Sequence, residues 1–104
     1  MKMHYRVIIP HIAKESLRDI IDYIKKDSPT AAKKVRKKLI ETAKSLTEFP
    51  ERFSREEYLK EKTGNYRSVT LWHYKIIYKV LADEVLILRF MHTRRDSELI
   101  EKLD

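Results

Sequence analysis

Tyr74-Lys75-Ile76-Ile77-Tyr78-Lys79-Val80-Leu81, the break Ala82-Asp83-Glu84, and Val85-Leu86-Ile87-Leu88-Arg89-Phe90-Met91 together decide the fold. Both runs are rich in β-branched and aromatic residues, and a short polar break between two such runs marks a hairpin. A third run of the same kind, 66–72, precedes them after Gly64-Asn65, so the second half of the chain reads as a three-stranded antiparallel meander. Parity then sorts the faces, because successive side chains of a strand point to opposite sides. Tyr74, Ile76, Tyr78 and Val80 carry no formal charge and form the set that meets a core, while Lys75, Ile77 and Lys79 form the other. On the last strand, strict alternation gives Leu86, Leu88 and Phe90 to the core and leaves Val85, Ile87, Arg89 and Met91 on the open face.

Toward the N-terminus, Met3, Tyr5, Val7 and Ile9 alternate with His4, Arg6 and Ile8 until Pro10, the pattern of a strand with one face buried. From Ile12 the period becomes helical, with Ala13, Leu17, Ile20, Ile21 and Ile24 on one side. Ser28-Pro29 supplies an N-cap hydroxyl and a proline at the first helical position, where a missing N–H costs nothing. The second helix carries the stripe Ala32, Val35, Leu39, Ala43 and Leu46 and closes at Phe49-Pro50, since a residue before proline is pushed out of the helical region. So short a joint between helices predicts an antiparallel helical hairpin. The charged stretch 51–62 reads as a loop with a helical turn, and Leu99, Ile100 and Leu103 predict a short terminal helix over 96–103. The expected fold is a single α+β domain over 1–104, with an N-terminal strand, the helical hairpin and then the meander. Both helices pack on one sheet face, which leaves the other for function.

A formal net charge of +7 gives a field that attracts nucleic acid, an acidic protein, or a protein already bound to nucleic acid. With no cysteine there is no disulfide, thiolate metal site or cysteine nucleophile, and no phosphate-binding loop or metal-ligand spacing is present. No cofactor and no metal are therefore expected. No apolar run approaches the roughly 18–20 residues that span a bilayer, and no secretory signal is visible, so the chain reads as cytoplasmic, without a membrane partner. Lys33, Lys34, Arg36, Lys37 and Lys38 cluster on the second helix, as a solvated face in the plain reading and as a phosphate contact in the sharper one. Trp72 ends its strand as a core or edge anchor in preference to a base-stacking surface, and His4 and His11 are surface residues.

Gly64-Asn65-Tyr66-Arg67-Ser68-Val69, then His73-Tyr74-Lys75-Ile76-Ile77-Tyr78-Lys79-Val80, then a strand ending in His92-Thr93-Arg94-Arg95-Asp96, resembles the signature of the RelE/ParE toxins. The resemblance covers nearly the whole chain, with Asp19-Ile20-Ile21-Asp22-Tyr23-Ile24 on the first helix and Leu46, Phe49 and Pro50 after the second. It implies one half of a toxin–antitoxin pair of the plasmid-stabilisation kind, held inactive by a cognate antitoxin through which the complex would meet operator DNA. The antitoxin would cover the open face and the helical hairpin, with an acidic segment along the basic second helix.

Two activities occur among proteins of this kind, poisoning of DNA gyrase in ParE and cleavage of messenger RNA on the ribosome in RelE. RNA cleavage by attack of a 2′-hydroxyl needs groups that take and give a proton and cations that stabilise the crowded oxyanion. The resemblance places Lys75 and Arg94 at two cationic positions of the RNA-cutting enzymes. The second strand has no lysine pair, however, and Ile100 falls where a tyrosine would be needed. An alternative RNase set would use His73 and His92, at the start of one strand and the end of its neighbour, which antiparallel pairing would bring close, with Lys75 and Arg94, assisted by Glu56, Glu57 or Glu61 from the preceding loop. The Gly-x-x-Arg opening of the second strand and the His-Thr-Arg-Arg-Asp ending fit ParE better. The expectation is a growth inhibitor that binds gyrase without chemistry of its own through Arg67, Lys75, Arg89, His92, Arg94 and Arg95; the alternatives are an RNA endonuclease, ribosome-dependent or free, and a harmless basic binding domain.

Overall fold

Ser28 begins the second of two helices in the way its sequence predicts: its hydroxyl accepts the Ala31 N–H at 3.1 Å, with Pro29 at the first helical position. The computed structural model describes residues 4–93, so Met3, Arg94, Arg95 and the terminal helix expected over 96–103 lie outside the described residues. The elements are β1 (Arg6–Ile8), α1 (His11–Lys25), α2 (Pro29–Ser45), β2 (Tyr66–Leu71), β3 (Tyr74–Val80) and β4 (Glu84–His92). Between α2 and β2 the charged loop makes two 3-10 turns, Pro50–Arg52 and Glu57–Leu59.

The sheet order is β1-β4-β3-β2. β2, β3 and β4 form the expected meander, and β1 lies parallel to β4, with Val7 opposite Val85. A parallel pair needs a crossover connection, and here the chain between the two includes the helical hairpin. The mixed four-stranded sheet with both helices against one face is the α+β layout predicted. Tyr5, just before β1, is tied to the turn that follows α2: its N–H donates to the Thr47 carbonyl at 2.8 Å, and the Thr47 hydroxyl donates back to its carbonyl at 2.5 Å.

Ala13, Leu17 and Ile20 from α1 and Leu39 and Ala43 from α2 pack on Ile76, Tyr78, Val85, Ile87 and Phe90 of the sheet. This corrects the face reading of β4. Phe90 is core and Arg89 and Met91 are on the other side, as alternation predicts, but Val85 and Ile87 are fully buried under the helices while Leu86 and Leu88 are not. A bulge is the reason: Ile77 pairs with Arg89 and Tyr78 with Ile87, leaving Leu88 without a partner on β3. One extra residue reverses the parity of everything before it. The Phe90 N–H, beyond the end of the short β1, donates to the Ser16 hydroxyl of α1 at 3.0 Å.

Among the described residues only Phe49 (φ 48°) and Trp72 (φ 56°) combine a side chain with positive φ. Both are exposed aromatics, and that backbone region costs an L-residue about 1–2 kcal/mol. Trp72 and His73 form the two-residue turn between Leu71 and Tyr74, which pair as the last rung of the β2–β3 hairpin. Such a turn demands positive φ, a demand usually met by Gly, Asn or Asp. Trp72 is thus at a hairpin tip, 55% exposed, and not the core or edge anchor expected.

Candidate functional site

The sheet face away from the helices is not bare. Residues 54–59 fold back along β2: the Ser68 N–H donates to the Ser54 carbonyl at 3.1 Å, and the Glu56 N–H to the Tyr66 carbonyl at 2.9 Å. The loop then turns onto the face and buries Leu59 against Tyr66, Ile77 and Met91, with Leu88 packed alongside. This second, smaller core is what the bulged residue serves.

Glu56 is the one charged residue buried to 1% exposure in the described chain. Its Oε1 accepts the Lys75 ammonium at 3.0 Å and its Oε2 the Tyr58 N–H at 2.9 Å, with a further hydrogen bond to the Ser68 hydroxyl. Burial pushes the carboxyl up, but the Tyr58 amide, Lys75 and Ser68 together outweigh it and hold Glu56 below the usual carboxylate value. The ammonium of Lys75 also lies 5.7 Å from the centre of the Tyr58 ring. A carboxylate stabilised in this way stays charged and is a poor proton acceptor.

The other sequence candidates fall in different places. Arg67 is on the helix side, opposite Tyr78, and donates to its near neighbour Asn65 Oδ1 at 2.9 Å and, around Pro50, to the Phe53 carbonyl at 2.8 Å and the Glu51 carbonyl at 3.2 Å. Tyr78 donates its hydroxyl to the Pro50 carbonyl at 2.6 Å, and burial pushes its pKa up to about 12. Arg89 is opposite Ile77 on the strapped face, and its buried Nε has no hydrogen-bond partner among the described residues. His73 and His92 do come together at the far end of the sheet, their rings stacked at 6.1 Å, with Tyr74 edge-on to His92 at 5.5 Å. Glu57 and Glu61 are exposed on the loop, and Glu56 meets Lys75 in place of either histidine. The role of Glu56 was beyond sequence reasoning, which offered it with two neighbours and no means of choosing. All five cations of the 33–38 cluster are exposed, and His11 pairs with Glu15 at 3.1 Å.

Two further surfaces are open. A groove of about 320 Å³ lies between the helices and the end of β1, with Leu17, Ile21 and Ile40 in its lining and Lys14, Arg18 and Arg36 around them. β1 forms the free edge of the sheet beside it. The Arg6 N–H points toward β4, donating to the Asp83 carbonyl, so alternation turns the amide of Val7 outward. The second is the tip carrying Trp72. Among the described residues no helix is long and apolar enough to cross a membrane, and no cluster of three metal-ligating side chains occurs.

The family described as ParE toxin of type II toxin-antitoxin system, parDE, matches residues 7–97. Among solved structures, the chromosomal ParDE toxin–antitoxin system of P. aeruginosa is similar at 24% identity, covering 86% of this chain and 96% of that one, with a TM-score of 0.69. The toxin–antitoxin complex RelBE2 of Mycobacterium tuberculosis is similar at 21% identity, covering 88% and 94%, with a TM-score of 0.63. At these identities the likeness to the two structures is one of fold. No curated protein sequence matches the chain.

Proposed function

The chain belongs to the ParE toxin family of type II toxin–antitoxin systems, and from that premise we propose that it is a growth inhibitor that acts on DNA gyrase by binding and is neutralised by a cognate antitoxin in the cytoplasm. The observation that carries the choice of target is the Glu56–Lys75 pair. The lysine that an RNA-cutting mechanism would use for phosphate is held 3.0 Å from a buried carboxylate, in a polar set that includes Tyr58 and Ser68. A cation so engaged lends little to a developing oxyanion. Arg67, likewise taken up by carbonyls, serves as a brace for the Pro50 turn, which leaves Arg89, His92, Arg94 and Arg95 as the target-binding candidates.

The antitoxin would lie on the helix side. The groove by β1 offers apolar lining, basic neighbours and an unpaired sheet edge, which suits an acidic segment that folds on binding with a strand along Val7 and an apolar side chain against Ile21 and Ile40. Operator DNA would then be met through the antitoxin. Purified gyrase tests the target: the free chain should inhibit supercoiling and accumulate cleaved DNA, and untouched supercoiling would sink this reading.

The stacked pair His73 and His92 supports a second reading, an RNA endonuclease. New 5′ ends in messenger RNA after induction, lost in His73→Ala and His92→Ala, would establish it.

A further inference from the structure

We propose that the β2–β3 hairpin tip is a single-stranded nucleic-acid contact in which a base stacks on Trp72 while Lys34 and Lys38 of α2 draw the phosphates. Three observations carry it. Trp72 is 55% exposed at a turn position with φ 56°, a conformation that favours glycine, so the ring is presented to solvent at a conformational cost that the folded core does not require. Strain retained at an exposed site points to function. The tip also adjoins cations. Leu71, next to Trp72, lines a shallow groove with Lys38, Arg52 and one acid, Glu41, and Lys34 is exposed one helical turn before Lys38 on the same side of α2. Finally, the tip is bordered by ring systems: His73 in the turn, stacked on His92, with Tyr74 against it. The Thr93 N–H donates to the His73 carbonyl at 2.8 Å, which ties the end of β4 to the turn.

Flat aromatics flanked by cations bind single strands without reading sequence, because every base has a π-face and every nucleotide a phosphate. An acidic protein would be drawn by the same lysines, but it has no need of an exposed indole beside a stacked histidine pair. The site is separate from the groove beside β1 and does not depend on the gyrase reading.

Trp72 is the only tryptophan of the chain, so its own fluorescence reports the contact. A thymidine oligonucleotide added to the full-length protein should quench it, a duplex of the same length should quench it far less, and binding should weaken by about tenfold between 50 and 200 mM salt, as release of counterions from two or three phosphates requires. With a labelled oligonucleotide, Trp72→Gly should weaken binding by about tenfold or more, the loss expected for one stacked base, and Trp72→Phe should retain part of it. The melting temperature of Trp72→Gly should not fall, because glycine is at ease at this φ; that separates lost stacking from lost fold. No quenching of the wild-type chain by either nucleic acid overturns the proposal. So does an unchanged affinity in Trp72→Gly. If Trp72→Gly abolishes growth arrest while the wild-type chain binds no oligonucleotide, the tip docks a protein and the proposal is likewise overturned. Quenching by a wild-type chain that arrests no growth would instead leave this site standing and remove the toxin reading.

Discussion

The two faces of the sheet are held by different physics. Toward the helices, Ile76, Val85, Ile87 and Phe90 meet Leu17, Ile20, Leu39 and Ala43 in a packed apolar layer. Toward the loop, a small cluster of Leu59, Tyr66, Ile77 and Met91 sits beside a buried ion pair. The first face draws its stability from area removed from water, which depends little on pH. The second places part of its stability in one carboxylate, and that part titrates.

Truncation on the helix side should have the largest effect. Phe90 is 1% exposed, and Phe90→Ala should cost about 3–5 kcal/mol through lost transfer energy and the cavity left behind. Urea unfolding would measure it, and a loss below about 1 kcal/mol would show that this layer is not the principal core. On the other face, Lys75→Met leaves Glu56 buried and unpaired and should cost about 3 kcal/mol, the low end for buried pairs because Lys75 is 17% exposed. The double variant Glu56→Leu/Lys75→Met should recover most of that loss, since apolar replacement of a buried pair is often neutral. The pH dependence follows from the direction of the shift. Glu56 titrates below its usual value in the folded chain, so its contribution is complete above the unfolded-state value and disappears as pH falls through the lowered one. Wild type should lose more stability between neutral pH and the carboxylate range than Glu56→Gln does; parallel curves for the two would contradict the pairing.

The same contrast explains what could be read in advance. The helix stripes, the Ser28-Pro29 cap and the even set of β3 were legible because periodicity reports burial directly, and every position from Tyr74 to Val80 is where parity puts it. β4 was half legible. Its C-terminal part, Arg89, Phe90 and Met91, follows the alternation, and the part before Leu88 is reversed, because Leu86-Ile87-Leu88 is apolar throughout and hides an inserted residue. The pairing of β1 with β4 in place of β2 is a long-range choice that a three-residue strand does not encode locally. In the candidate site, the approach of His73 to His92 was legible from hairpin geometry. The Glu56–Lys75 pair was not, since it depends on how a loop of weak periodicity folds over the face. Trp72 went the other way: aromatic composition argued for burial, and turn geometry put it in solvent.

Smaller effects sharpen the boundary between the faces. Tyr78 lies under the helices, yet its hydroxyl holds the Pro50 carbonyl at 2.6 Å, so Tyr78→Phe should cost about 1–2 kcal/mol by leaving a buried acceptor unmet. Because its folded-state pKa is raised to about 12, the unfolded chain releases this proton first as pH rises past about 10, and wild type should lose stability there while Tyr78→Phe does not share that part of the loss.

Deleting Leu88 should have the smallest effect. If that residue is the insertion, its removal leaves Val85, Ile87 and Phe90 on the helix side and Leu86 and Arg89 on the other by simple alternation, so the fold should survive. The expected loss is the packing of one half-buried leucine on the Leu59 cluster, about 1 kcal/mol. Deleting Lys75 from β3, by contrast, has no bulge to absorb it and exchanges the faces on one side of the cut, which should prevent folding. Comparing the two deletions by circular dichroism and thermal unfolding isolates the bulge from the leucine. Equal damage from both would mean that β4 needs its bend as much as its register, and that the strapped face depends on the extra twist a bulge brings.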